Sequence, residues 1–328
     1  MNEKERVMNK VRWGIIGAGR IAHSFAGDIQ HVDNAELVAV GARSARNAEL
    51  FAAKYDIGMA CEGYQGLFDS DEVDAVYIAT PHNLHFSQAV AALTSGKAVL
   101  CEKPLVVNPD ECRELTKFAT DQNCYLMEGM WTWFLPALRK AKQWVDQGRI
   151  GKIRHIKADF GYPIPFSNDR REYDNRLAGG CLLEMGIYPV AIAQYFLEQE
   201  PEDISVRTHL APNGVEDDVV ILAEYQQGAV ATLATSFRCK LQNWAYIIGE
   251  EGYIAIPDFW RADRCSLFQL DEQIDQFIDY RKGLGFEFEI AAASADIQSG
   301  RLQSEQMPHE MSIAFQQVMA RVRSQFGS

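Results

Sequence analysis

The chain has 328 residues, enough for two modest domains or one large one, with 47% hydrophobic and 23% charged residues, ordinary proportions for a globular protein. Its formal net charge of −13 repels phosphate backbones and anionic membrane surfaces, which excludes nucleic acid and membrane as expected partners. Seven cysteines, odd in number and with no CxxC spacing, read as reduced thiols of a cytoplasmic protein, and neither disulfides nor a metal site are expected.

Residues 1–10 are polar and charged, so they read as an extension before the first strand and not as a signal peptide. The apolar runs look too short to cross a bilayer. Residues 11–17 read as a buried strand ending in glycine, followed by a helix from about Arg20. Strands at 35–40, 73–81, 98–101 and 124–127 alternate with helical spacing at 45–55, 85–95 and 109–121. Strict alternation implies a parallel sheet covered on both faces, an α/β doubly wound domain over residues 11–128. The pattern then changes. Strands at 153–160, 204–209, 219–225, 229–237, 246–248 and 253–256 follow one another, with Gln226-Gln227-Gly228 and Glu250-Glu251-Gly252 as hairpin turns, before a last helix at 309–325. This predicts an α+β domain over 129–328, with a large, mostly antiparallel open sheet whose bare face would suit a subunit interface.

Gly17-Ala18-Gly19-Arg20-Ile21-Ala22 fits G-x-G-x-x-A between a strand and a helix. The glycines permit a tight turn and close approach of a pyrophosphate, Ala22 permits helix–strand packing, and the helix amino end offers amides and partial positive charge. The first domain is thus of Rossmann type. At the end of the second strand stand Gly41-Ala42-Arg43-Ser44, with no carboxylate to grip a ribose hydroxyl. Arg43 and Ser44 can instead bind a 2′-phosphate, which favours NADP(H) over NAD; the alternative for Arg43 is a solvated surface side chain.

The glycine motif, Ala79-Thr80-Pro81 with His85, and the run Gly96–Pro104 containing Cys101-Glu102-Lys103-Pro104 resemble the glucose–fructose oxidoreductase/inositol dehydrogenase/MocA family. The likeness continues through Met127–Thr132, Gly148–Gly151, Gly179–Pro189, Gly249–Gly252 and Met307–Glu310, nearly the whole chain, and Trp131-Thr132 with Tyr188 is similar to the dihydrodiol and D-xylose dehydrogenase branch. The resemblance implies a cis Lys103–Pro104 peptide, a homodimer through the C-terminal sheet, Lys103 and Tyr188 as the catalytic pair, and no metal. Asn83 and His85, which follow a strand of the cofactor domain, read as cofactor or helix-start contacts, and Thr80, Pro81, Glu102 and Lys103 are further candidate cofactor contacts. The chain departs from the family pattern with Glu184 for the usual Asp and Trp133 for the branch's Arg.

A lysine ammonium beside a phenol favours the phenolate, so this pairing would ready Tyr188 to exchange a proton while Lys103 polarises the substrate oxygen; the reverse assignment stays open. Glu184, four residues before Tyr188, either orients substrate or caps a helix. Trp131, Phe160 and Arg171 are candidate substrate contacts, Arg171 alternatively being a solvated loop residue. The expected activity is hydride transfer at a hydroxyl or carbonyl carbon of a sugar, polyol or trans-dihydrodiol. Alternatives are reduction of a ketose, anhydro-sugar or dicarbonyl, and a non-catalytic NADP-binding regulator.

Overall fold

The computed structural model describes residues 10–326. The extension expected over residues 1–10 lies outside them apart from Lys10. The chain begins with β1 (Val11–Ile16), α1 (Arg20–Asp28), β2 (Ala35–Ala42), α2 (Ala45–Tyr55), β3 (Met59–Glu62), α3 (Gln65–Phe68), β4 (Ala75–Ile78), α4 (His85–Thr94), β5 (Ala98–Glu102), α5 (Pro109–Asp121) and β6 (Leu126–Gly129). After α6 (Pro136–Asp146) come β7 (Ile153–Gly161), α7 (Ile187–Leu197) and seven strands in succession. These are β8 (Asp203–Leu210), β9 (Glu216–Glu224), β10 (Val230–Ser236), β11 (Trp244–Gly249), β12 (Tyr253–Pro257), β13 (Arg264–Gln269) and β14 (Glu272–Ile278). Helices α8 (Phe286–Gln298) and α9 (His309–Arg323) close the chain.

Two compact units result. The first runs up to Leu105 and adds Arg113–Trp131 and Lys282–His309; the second holds Val106–Cys112, Thr132–Arg281 and the stretch from Glu310. In the first unit six parallel strands lie in the order β3-β2-β1-β4-β5-β6. Trp13, Ile15 and Ile16 of β1 and all four residues of β4 are fully buried, as central strands covered on both faces require. Phe25 of α1 stacks on Tyr77 of β4 with ring centroids 3.9 Å apart, and burial of each such side chain contributes about 1.5–3 kcal/mol. Sheet order reverses between β1 and β4, which leaves a crevice at the carboxyl ends of those strands.

Helix α8 joins this unit from far along the chain. The buried carboxylate of Asp28 accepts the backbone N–H groups of Leu284, Gly285 and Phe286 at 2.8–2.9 Å, capping α8, and Trp13 Nε1 donates to Ser294 Oγ at 3.0 Å.

In the second unit eight strands lie in the order β14-β13-β12-β11-β7-β10-β9-β8, antiparallel except for β7 with β10. The hairpin at Gln226–Gly228 is made by two successive left-handed residues, Gln227 (φ 63°) and Gly228 (φ 78°), which match strand twist. Helices α6 and α7 cover one face. The other exposes Val220 and Leu222 of β9 and carries a stacked Tyr253–Phe268 pair, centroids 4.7 Å apart. Contrary to the expectation that every apolar run is too short, Asn175–Leu197 has the length and composition of a bilayer span. Its most apolar 18 residues are 83% buried within the fold, and the stretch takes in a π-type turn and α7 of the core.

Candidate active site

The first unit supplies a site for a dinucleotide. Gly17 leaves β1 at φ +96°, its N–H donating to Gly41 O at 2.8 Å, and a Cβ there would press on Ala79 O at 2.9 Å. Gly19 is the amino cap of α1 and nothing lies within 4 Å of where its Cβ would be. Among the described residues no side-chain cap forms at Gly19 and no acidic residue sits in the first turn of α1, so the partial positive charge at this helix amino end, reached by Ala18, Gly19, Arg20 and Ile21, is not offset by a side chain. That cradle fits a diphosphate in shape and charge. At the end of β2, Arg43 is exposed, and Ser44 Oγ caps α2 by accepting Asn47 N–H at 3.3 Å. Burial raises the pKa of the Tyr64 phenol, and the Arg43 charge acts to lower it.

At the ends of β4 and β5 the chain builds a frame for Lys103. The Lys103–Pro104 peptide is cis. Glu102 accepts the Tyr77 hydroxyl through Oε1 and Lys103 N–H through Oε2, the latter at 3.2 Å. Glu128 Oε1 accepts Leu105 N–H at 2.9 Å. His85 is fully buried, its Nε2 2.9 Å from Thr80 O and its Nδ1 2.8 Å from Pro104 O, so it staples the two backbone ends together. Thr80 Oγ1 donates to Gln88 Oε1, and Pro81 leads into the short turn carrying exposed Asn83. Trp131 belongs to this unit and stacks on Phe286, centroids 4.5 Å apart.

The second unit supplies a phenol among aromatic rings. Leu182–Gly186 form a wide π-type turn that runs directly into α7. Glu184 and Tyr188 therefore share one helical run, and their four-residue spacing keeps them on one side of it. Arg171 Nη2 lies 2.8 Å from Glu184 Oε1. Burial works against the Arg171 charge, but Glu184 and then Glu172 outweigh it, and its pKa ends above the usual value. Arg171 is thus paired to Glu184 and not simply solvated. Tyr188 is 6% exposed, edge-on to Phe160 with centroids 5.4 Å apart and 6.3 Å from Trp260; Phe160 and Trp260 stack at 4.9 Å. Trp260 went unmarked in the sequence because it stands alone in a short turn between strands, where no periodicity flags it. Trp133 donates from Nε1 to Ala191 O at 3.2 Å and meets Phe315 edge-on, so this departure from the family pattern fills the core of the second unit. Among the described residues no group of three His, Cys, Asp or Glu side chains could hold a metal ion.

A 3-2-1-4-5-6 sheet with an open glycine turn at its reversal point, followed by a largely antiparallel unit, defines a dinucleotide-binding oxidoreductase. Residues 11–130 match the oxidoreductase family with an NAD-binding Rossmann fold, and residues 138–255 match the GFO/IDH/MocA C-terminal domain; the chain belongs to the GFO/IDH/MocA family. It is 38% identical to mouse trans-1,2-dihydrobenzene-1,2-diol dehydrogenase over 253 residues, 76% of this chain and 75% of that one. The bovine enzyme of the same name is 32% identical over 327 residues, 97% of each. Among solved structures, KijD10, a 3-ketoreductase from Actinomadura kijaniata in complex with NADP and TDP-benzene, superposes with a TM-score of 0.85 at 26% identity, covering 96% of this chain and 98% of that one. KijD10 has also been solved with one lysine or one tyrosine replaced. The fold is further shared with an aldose–aldose oxidoreductase from Caulobacter crescentus, TM-score 0.88 at 21% identity, over 96% of this chain and 97% of that one.

Proposed function

We propose that this chain is an NADP(H)-dependent dehydrogenase acting on the CH–OH or C=O carbon of a trans-dihydrodiol, sugar or polyol. The observation that carries the reading is the open, uncapped glycine turn on the same unit as the braced Lys103. The names of the mouse and bovine relatives support the diol, and the ring cluster around Tyr188 offers apolar faces to a cyclic substrate. A nicotinamide dinucleotide held at the Gly17–Ile21 turn would supply the hydride acceptor or donor. In oxidation the substrate hydroxyl gives its proton to Tyr188 as its carbon loses hydride, and in reduction the phenol returns it. The Lys103 ammonium holds the partial negative charge on the substrate oxygen. Glu184, fixed by Arg171, orients the substrate. The KijD10 similarity favours a second reading, in which the physiological direction is reduction of a ketone. The test is absorbance of NADPH and NADH with a panel of trans-dihydrodiols, aldoses, polyols and dicarbonyls, on which turnover of a cyclic diol or sugar is expected; a folded protein with no calorimetric affinity for either nucleotide would refute the proposal.

Arg43 and the missing carboxylate at the end of β2 support NADP(H) over NAD(H) as cofactor. Arg43→Asp is expected to weaken NADPH binding about 10–100-fold, the value of one lost charge-assisted contact, and to improve NADH. A wild-type preference for NADH removes the role given to Arg43.

We place the enzyme in the cytoplasm, as a homodimer whose interface is the open face of the eight-stranded sheet. Val220 and Leu222, 49% and 42% exposed, and the Tyr253–Phe268 stack form the apolar surface that supports this. Sedimentation should show a dimer for the wild type and a monomer for the double variant Val220→Arg/Leu222→Arg.

A further inference from the structure

We infer that Glu216 is a positioning residue of the reaction: from a niche behind Gly180 its carboxylate holds the start of the helical run that carries Glu184 and Tyr188, and turnover depends on its charge. The inference rests on the roles given above to Glu184 and Tyr188.

Glu216 opens β9 and is 8% exposed, although among the described residues no arginine or lysine is bonded to it. Its Oε1 accepts Leu182 N–H at 3.4 Å, at the first residue of the π-type turn. Gly180 stands at φ +123°, and a Cβ there would overlap the Glu216 carboxylate, so glycine is what lets the carboxylate reach the turn. The hold passes on through the backbone: Glu184 N–H donates to Gly180 O at 3.2 Å, and Thr235 Oγ1 to Cys181 O at 3.3 Å. A negative charge at this end of a helical run is favourable, because its first N–H groups lack intrahelical partners.

The groups facing Glu216 come from several elements. Arg323 on α9 favours its charge; Asp217 beside it opposes it and is itself bonded to His209 of β8 at 2.6 Å. Asp218 accepts from Ser236 Oγ on β10, and the buried Cys181 thiol is pushed up first by burial and then by Glu216, Asp218 and Asp217. On balance burial dominates and raises the Glu216 pKa to about 7, against the pull of its own backbone N–H, Leu182 N–H and Arg323. The charge that anchors the turn is therefore gained or lost near neutral pH.

The test compares wild type, Glu216→Gln and Arg323→Gln in kcat and KM across pH 5–9, with hydrogen exchange of the segment 180–188 and NADPH affinity measured alongside. In the wild type kcat should rise through about pH 7. Glu216→Gln should remove that limb, lower kcat about tenfold at pH 8 and speed amide exchange at 182–188, with NADPH affinity unchanged. Arg323→Gln, which keeps the carboxyl but withdraws the facing positive charge, should move the limb to higher pH with the same plateau. Faster exchange with a wild-type kcat profile in Glu216→Gln, or an unmoved limb in Arg323→Gln, overturns the proposal. Full turnover by Tyr188→Phe would instead overturn the reading on which it rests.

Discussion

Replacing Tyr188 by phenylalanine is expected to lower kcat about 10³-fold, the middle of the range for loss of a proton-transfer group. NADPH affinity should stay as it was, since the dinucleotide cradle lies on the other unit. The change deletes one oxygen and keeps the ring, so the edge-on contact with Phe160 and the approach to Trp260 survive and the fold has no cavity to accommodate. A fall confined to kcat then identifies an interaction made in the transition state and not in binding. Lys103→Met should cost a similar factor, and the double variant little more than either alone, because two groups that serve one proton transfer fail as a unit. Steady-state kinetics with calorimetry of NADPH binding checks all three. A kcat within a few-fold of wild type in Tyr188→Phe would show that the phenol takes no part in the chemistry.

How far the fold was legible depended on where its information lay. The alternating first third could be read because each central strand is buried on both faces and ends at a turn, as β1 does at Gly17 and β4 at Pro81. Strand β3 was missed because four residues of alternating exposure look like a loop. Strand β14 was missed because it lies at the sheet edge with no fully buried residue, so no apolar alternation marks it. Helix α8 depends on a cap from Asp28, 256–258 residues distant, and no local pattern records a partner that remote. Of the candidate site, the residues with motif spacing could be picked out as candidates: Gly17, Gly19, Lys103, Glu184 and Tyr188. The pairings that brace them could not. The pairing of Glu102 with Tyr77, of His85 with Pro104 O and of Glu216 with the Gly180 niche arises from strands and turns meeting in space, so even Glu102 and His85, which stand in motifs, do not show in sequence which group they meet.

Glu289→Met is expected to raise Tm, by more at pH 8 than at pH 4. Glu289 lies on α8 with no exposed surface, and among the described residues neither carboxyl oxygen has a hydrogen-bond partner. Burial, and after it the charges of Glu102 and Asp28, hold its pKa well above the usual 4.5. The neutral acid already leaves buried polar atoms unsatisfied, at a cost of about 1–3 kcal/mol that a thioether of similar size does not incur. The pH dependence adds to this with a definite sign. The folded carboxyl keeps its proton where the unfolded one has lost it, so the stability this group contributes is complete below pH 4.5 and falls as pH rises towards the raised folded value. The variant lacks that fall, and the gap between the two proteins should widen from pH 4 to pH 8, reaching about 2–6 °C or more in Tm. Glu216 also carries a raised pKa, but it is present in both proteins and its titration cancels in the difference. Glu289→Gln separates the two contributions: it retains the unsatisfied polar atoms and removes only the titration, so it should flatten the pH slope without the gain at pH 4. A difference in Tm that is independent of pH would mean that Glu289 ionises alike in the folded and unfolded chains.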